Sequence, residues 1–284
     1  MSKTPIIIKT PDEMRVHTSA VRGNGGRVGF VPTMGALHDG HLALVDYARE
    51  RCDEMVVSIF VNPLQFDRED DLTGYPRTWQ ADLDLCTAHG VDVVYYPNAD
   101  AMYPAGFQTK VSVAEMTTGL CGAHRTGHFD GVTTVVLKLF NAVQPDIAVF
   151  GQKDYQQLSV IKRMTLDLDL GVEVVGHPTV READGLALSS RNVHLSPQER
   201  ENALCLWRGL NKAMEMAKSG EKNAAKIRAA ALAEIEAVPQ ARLEYLEIVD
   251  ADSLEPVEKI NRPARMAMAV WMGETRLIDN APLD

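Results

Sequence analysis

The chain has 284 residues, enough for about two domains that each bury a core. Its 29 Lys and Arg against 39 Asp and Glu leave a formal charge of −10, which argues against a broad nucleic-acid surface, because that needs cations to neutralise phosphates. A composition 45% hydrophobic and 24% charged is that of a folded globular protein and excludes disordered, collagen-like and coiled-coil classes.

No stretch approaches the ~20 apolar residues of a membrane span. The opening MSKTPIIIKTPDEMR has neither a long apolar core nor a small-residue cleavage site, so the expectation is a cytoplasmic protein with no membrane association. Cys52, Cys86, Cys121 and Cys205 are far apart, lack metal-binding spacing and read as reduced thiols.

From Arg27 to about Gly176, short β-branched runs (RVGFVP, MVVSIFV, VDVVYY, DIAVF, VEVVG) alternate with stretches of helical period (HLALVDYARERC, TWQADLDLCTAHG, GVTTVVLKLFNAVQ, KDYQQLSVIKRMTLDL). That alternation predicts parallel strands joined by crossover helices. The near-continuous hydrophobicity of the strands suits burial on both faces. Beyond His177-Pro178 the pattern changes. Ser196, Pro197 and Glu199 form a capping box that predicts a helix to about Ser219. Gly220 stops it, and a second, alanine-rich helix runs from about Asn223 to Val238. LEYLEIVD and RMAMAVWM read as strands. The expected fold class is therefore α/β, a Rossmann-like doubly wound parallel sheet (1–178) with a second, smaller α+β domain (179–284).

The densest chemical signal is Val31-Pro32-Thr33-Met34-Gly35-Ala36-Leu37-His38-Asp39-Gly40-His41, directly after a strand and before a helix. Ligands of open parallel sheets sit at strand carboxyl ends, where helix N-termini favour anions. Gly35 and Gly40 permit close backbone approach, and His38 and His41 offer ring N–H donors. The alternative is two unrelated histidines in a turn; a zinc reading of His-x-x-His lacks a nearby third ligand. Gly151-Gln152-Lys153-Asp154 is a second strand-end, helix-start site, with Lys153 placed to meet phosphate.

PTMGALHDGH, VSIFVNPLQF, YPRT, GHFDGV, FGQKDYQQL and DGLALSSRN, in that order and spacing over about residues 27–195, resemble the pantothenate synthetase family, within the HxGH nucleotidylyltransferase superfamily. The resemblance implies an ATP-dependent ligase that joins pantoate to β-alanine through a pantoyl adenylate, releasing pyrophosphate and then AMP. It implies Mg²⁺ with the ATP, and it suggests a homodimer. It assigns His41 the proton-donor role, with His38 and Lys153 beside it. The ATP residues it implies are Met34, Gly35, Ala36, Leu37, His38, Asp39, Gly40, His41, Gly151, Gln152, Lys153, Asp154, Val180, Leu188, Ser189, Ser190 and Arg191. Gln65 and Gln157 match its pantoate positions, and Gln65 also borders β-alanine. Gln152 stands where many relatives carry Glu and receives no charge-dependent role.

Asn62 is a further candidate whose alternative is turn chemistry before proline. Arg125 and His128 are candidates near pantoate or phosphate, with an ordinary surface loop as the alternative. The stretch from Asn62 to Arg77, rich in DREDD, is expected to be a substrate lid, against a solvated acidic loop. No carboxylate pair marks a metal site; Asp82 is the carboxylate carried forward. Two rival readings stand beside the ligase: a nucleotidyl transferase that stops at an adenylated product, and an adenine-nucleotide-sensing module without turnover.

Overall fold

The computed structural model describes residues 4–283, and the chain divides into two compact units. The first comprises the described residues through Ala114, with Arg125–Gln152 and Gln157–Pro178. The second comprises Glu115–His124, Lys153–Gln156 and the chain from Thr179 onward.

The first unit holds β1 (Ile6–Ile8), β2 (Val28–Thr33), β3 (Glu54–Ile59), β4 (Val93–Tyr95), β5 (Ile147–Gly151) and β6 (Glu173–His177), in the spatial order β1-β4-β3-β2-β5-β6. All neighbours pair in parallel. Successive strand residues divide between two cores, as a period of two demands. Phe30, Val56, Val93, Ala148 and Phe150 pack on one face with Met14 of α1 (Pro11–Gly23). Val31, Val57, Val94, Ile147 and Val149 pack on the other with Leu44 and Val45 of α2 (Asp39–Arg49). Next come α3 (Glu69–Thr73), α4 (Trp79–Ala88) and α5 (Ala99–Met102). Then follow α6 (Leu120–His124), which belongs to the second unit, α7 (His128–Val143) and α8 (Tyr155–Asp167), whose first two residues also belong to the second unit. The doubly wound parallel sheet expected from sequence is the observed one.

In the second unit α9 (Pro197–Asn202), α10 (Leu204–Lys218) and α11 (Ala224–Glu236) pack on an antiparallel sheet of β7 (Ala241–Asp250), β8 (Ala264–Met272) and β9 (Thr275–Pro282). The Ser196 capping box forms as the sequence indicates, but the helix expected to reach Ser219 breaks at Ala203.

The short helices α3, α5 and α6 escape periodicity, and so do β1, α1 and β9. β1 is a three-residue edge strand. α1 buries only Met14 and Thr18, so its apolar stripe is faint although Thr10 and Glu13 cap it fully. β9 reads TRLIDNAP, with charges, an asparagine and a proline interrupting its alternation.

One close approach fixes the loop after β3. Gly131 of α7 lies so near the 3₁₀ turn Pro63–Gln65 that a β-carbon there would overlap the Leu64 carbonyl and sit 2.7 Å from the Gln65 nitrogen. Gly131→Ala is expected to cost about 1–3 kcal/mol through overpacking. Gly23→Ala, which meets nothing within 4 Å, should stay within about 0.5 kcal/mol of the parent. Chemical denaturation of both variants checks this.

Candidate active site

β2 ends at Thr33, whose hydroxyl donates to the Ser58 carbonyl of β3 (2.8 Å) and accepts the Gly35 N–H (3.1 Å). The chain then turns through Gly35 at φ +85° and Ala36 at φ +50°. The second value is uncommon for a residue with a β-carbon and costs roughly 1 kcal/mol.

What holds this turn is Asp82 of α4, which is 2% exposed. Its carboxylate accepts the Ala36 N–H (3.0 Å), the Leu37 N–H (2.8 Å) and the Thr78 hydroxyl (3.1 Å). Those bonds occupy the oxygens that a metal would need. Asp82, considered from sequence for a metal, is thus the anchor of the glycine turn. The signal was present: Trp79, Asp82, Leu83 and Cys86 share the stripe that buries α4, and a carboxylate on such a stripe requires a partner.

His38 caps α2 with extended backbone, and its Nδ1 accepts the Gly40 N–H (3.1 Å). A neutral imidazole accepting at Nδ1 carries its proton on Nε2, which makes Nε2 the donor. The His41 ring lies 4.1 Å from the His38 ring, centroid to centroid. Both histidines are half-buried at the first turn of α2, where backbone N–H groups and the helix dipole favour an anion.

At the end of β3, Asn62 is 1% exposed and makes a full set of bonds. Its Nδ2 donates to Gln65 Oε1 (3.0 Å) and to the Gly131 carbonyl (3.1 Å). Its Oδ1 accepts the Tyr103 hydroxyl (2.7 Å) and the Leu64 N–H (3.3 Å). Burial pushes the Tyr103 phenol above its ordinary range, which keeps it a donor. This chain of bonds fixes the orientation of the Gln65 amide, whose Nε2 meets Met34 Sδ at 3.1 Å. Asn62 thus performs the turn chemistry of the alternative reading, and it also orients Gln65. Tyr103 has no sequence signal of its own.

Arg125 and His128 converge on the same turn. The Arg125 Nε donates to Asp67 (3.0 Å) and its Nη2 to the Gln65 carbonyl (3.2 Å), while His128 Nδ1 meets that carbonyl at 2.7 Å. Burial alone would raise the Asp67 carboxyl, but the Arg125 guanidinium outweighs it and holds Asp67 below the usual carboxylate range. These two residues brace the Asn62–Asp67 turn rather than lying on an ordinary loop.

β5, the other neighbour of β2, ends at Gly151, and the neutral amide of Gln152 donates to the Gly176 carbonyl (3.1 Å). The candidate residues of the first unit thus collect where three adjacent parallel strands end. Gln157 stands half-buried in the first turn of α8.

Within the second unit, Lys153 has a side chain 18% exposed, with its ammonium 3.7 Å from the Asp154 carboxylate. Val180 to Leu188 doubles back on itself: the Leu188 N–H donates to the Val180 carbonyl (3.0 Å), and Arg181 pairs antiparallel with Ala187. Ser189 caps the 3₁₀ turn Ser190–His194 by accepting the Arg191 N–H (3.3 Å), so Ser189, Ser190 and Arg191 leave the hairpin together.

The sequence profile of the family described as pantoate-beta-alanine ligase matches residues 6–282. The chain is 52% identical over 278 residues to the pantothenate synthetase of Moorella thermoacetica, covering 98% of each. It is 54% identical over 274 residues to that of Heliobacterium modesticaldum, covering 96% of this chain and 98% of the relative. The crystal structure of pantothenate synthetase from Thermus thermophilus superposes with a TM-score of 0.92 at 47% identity, covering 97% of this chain and 98% of that one. The pantoate-beta-alanine ligase of Francisella tularensis, complexed with beta-gamma ATP and beta-alanine, gives 0.78 at 33% identity, covering 98% and 97%.

Asp82→Asn replaces an acceptor of backbone N–H bonds with an amide that must turn one N–H toward them. The expected loss is about 1–3 kcal/mol, seen as a melting temperature lowered by several degrees and unaltered by excess Mg²⁺. Asp84→Asn, at an exposed position of the same helix, should melt like the parent.

Proposed function

The chain belongs to the pantoate-beta-alanine ligase family and is an ATP-dependent ligase that joins pantoate to β-alanine; on that premise we propose that it works through a pantoyl adenylate. A carboxylate acylates amines poorly until it carries a good leaving group, and AMP supplies one. A pantoate oxygen attacks the α-phosphorus of ATP, and the bond to pyrophosphate breaks. The β-alanine amine then attacks the pantoyl carbonyl, and AMP departs with the electron pair. No enzyme nucleophile is needed, so the protein's work is positioning and stabilising phosphate charge.

In this reading Met34 to His41 enclose ATP, His41 donates a proton to the phosphates, and His38 presents its Nε2–H beside it. Gly151, Gln152, Lys153, Asp154, Val180, Leu188, Ser189, Ser190 and Arg191 complete the ATP contacts, and Gln65 and Gln157 bind pantoate. Residues 1–178 form the Rossmann-like ATP- and pantoate-binding domain of this reading, and 179–284 form the smaller domain, which adds Val180 and Leu188 to Arg191. The observation that supports this most directly is the His38 cap, its Nδ1 committed to Gly40, with the His41 ring 4.1 Å away at a strand-end helix N-terminus.

Among the described residues no group of three or more His, Cys, Asp or Glu could hold a metal. The Mg²⁺ that the family resemblance implies would arrive with ATP and would be held mostly by phosphate oxygens and water. The family resemblance also supports a homodimer and, with it, a cytoplasmic location; among the described residues no helix is long and apolar enough to cross a membrane. The segment from Asn62 to Arg77 closes as a lid beyond its braced Asn62–Asp67 turn, and protection of it from protease when ATP and pantoate are added is the expected sign.

Purified protein with Mg·ATP, pantoate and β-alanine should yield pantothenate and AMP by mass spectrometry. Exchange of pyrophosphate into ATP should require pantoate, and AMP should appear only after β-alanine is added. His41→Ala should slow the exchange by about 10²–10³-fold with an unchanged melting temperature; near-normal exchange removes its role. Gln157→Ala should raise the KM for pantoate more than that for ATP, and equal losses contradict its assignment.

A further inference from the structure

Two neighbouring residues near the end of β9, Asp279 and Asn280, are 3% and 4% exposed, and each binds a different nucleotide segment of the second unit. Asp279 receives both ends of the Arg181 guanidinium, at 2.6 and 2.9 Å, in a fork that fixes direction as well as distance. Arg181 also donates to the Gly185 carbonyl (3.0 Å) and lies 4.0 Å over the Trp207 ring. Gly185, at φ +100°, has no room for a β-carbon beneath that ring. The Val180–Leu188 hairpin is therefore held rigidly through one arginine, and Ser189 to Arg191 extend from it.

Asn280 donates through Nδ2 to the main-chain carbonyl of Lys153 (2.8 Å) and accepts at Oδ1 from Arg265 Nη1 (2.5 Å). The Arg265 guanidinium lies 3.9 Å over the Tyr155 ring, and the Tyr155 hydroxyl donates to the Ala251 carbonyl (2.9 Å). An amide meets both demands made on position 280 from separate atoms, Nδ2 giving a hydrogen bond to a carbonyl and Oδ1 accepting one from a guanidinium. The two anchors are themselves joined, because the Asn280 N–H donates to the Asp279 carboxylate (2.8 Å).

We propose that Asp279 and Asn280 are positioning residues for adenylate formation: Asn280 sets the Lys153 turn and Asp279 sets the hairpin that carries Ser189, Ser190 and Arg191. The proposal rests on the reading of those segments as ATP contacts. Neither side chain touches the nucleotide. Their adjacency on one strand fixes the spacing between an ammonium and a guanidinium aimed at one triphosphate, and small errors in such spacing cost rate steeply.

Asn280→Asp is the discriminating variant. It keeps the shape of the side chain and the bond to Arg265 but puts an acceptor against the Lys153 carbonyl. Pantoate-dependent pyrophosphate exchange should slow about tenfold. Single-turnover attack of β-alanine on the pantoyl adenylate already formed on the enzyme should stay within about twofold, because that step involves no triphosphate. In a Lys153→Ala background Asn280→Asp should add less than about twofold, since the two act as a unit. Asp279→Asn should slow exchange in the Lys153→Ala background but not in an Arg191→Ala background. Exchange within twofold of the parent in Asn280→Asp, while Lys153→Ala is strongly impaired, overturns the proposal and leaves the reading of Lys153 standing. An equal fall in both half-reactions overturns it too, because loss of folded protein moves them together. Undiminished exchange in Lys153→Ala overturns the reading of Lys153, and the proposal with it.

Discussion

Between the end of β2 and the start of α2 the chain belongs to neither a ladder nor a helix, so something else must satisfy and hold its backbone. At the end of β2 the chain passes through two left-handed residues, one of them an alanine, and no ladder supports them. The carboxylate of Asp82 substitutes for that support, accepting the N–H groups of Ala36 and Leu37 from a helix more than 40 residues further along. A buried carboxylate is itself unstable without donors. Turn and carboxylate thus stabilise each other, and the proposed proton donors begin at the next residue.

The parallel sheet determines what can join that turn. Every strand of the first unit runs the same way, so β3, β2 and β5, which are neighbours, end at the same edge. The loops they feed contain Asn62 and Gln65, Met34 to His41, and Gly151 with Gln152. These stretches are distant along the chain, and crossover connections bring them to one edge, where the Gln65 amide then meets the Met34 sulfur. Register then does fine placement: Thr33 lies opposite Ile59 in the β2–β3 pair, and the Thr33 hydroxyl bonds the preceding Ser58 carbonyl.

Much of this was legible in the sequence because it repeats. Five β-branched runs alternating with helical stripes specify a doubly wound sheet, and glycines flanking His38 and His41 after the first of those runs specify a ligand turn. The rest depends on single contacts between residues far apart, which no period reports. Asp82 could be suspected only as a charge on an apolar stripe. Tyr103 looked like any aromatic in a loop, and its bond to Asn62 exists because α5 happens to end beneath that turn. β1 and β9 were missed for a different reason. One is too short for alternation to develop, and the other spends adjacent positions on Asp279 and Asn280, whose polarity hides the strand that carries them.

Beside the carboxylates of Asp82 and Asp279, side-chain amides tether several main-chain segments. Asn62 donates to the Gly131 carbonyl, Gln152 to that of Gly176, Gln156 to those of Met116 and Gly119, and Asn280 to that of Lys153. Each gives N–H bonds to main-chain oxygens that lie outside regular ladders or at their ends, where a donor is otherwise missing. Arg125 and Arg181 make the same kind of bond to the Gln65 and Gly185 carbonyls, each balanced by its own carboxylate, Asp67 and Asp279. A cation in place of these amides would add an unbalanced charge. An amide fixes the backbone and leaves the field to the groups that face the ligand. The cations proposed to meet phosphate, Lys153 and Arg191, can then stay committed to it, while neutral neighbours determine where their backbones lie.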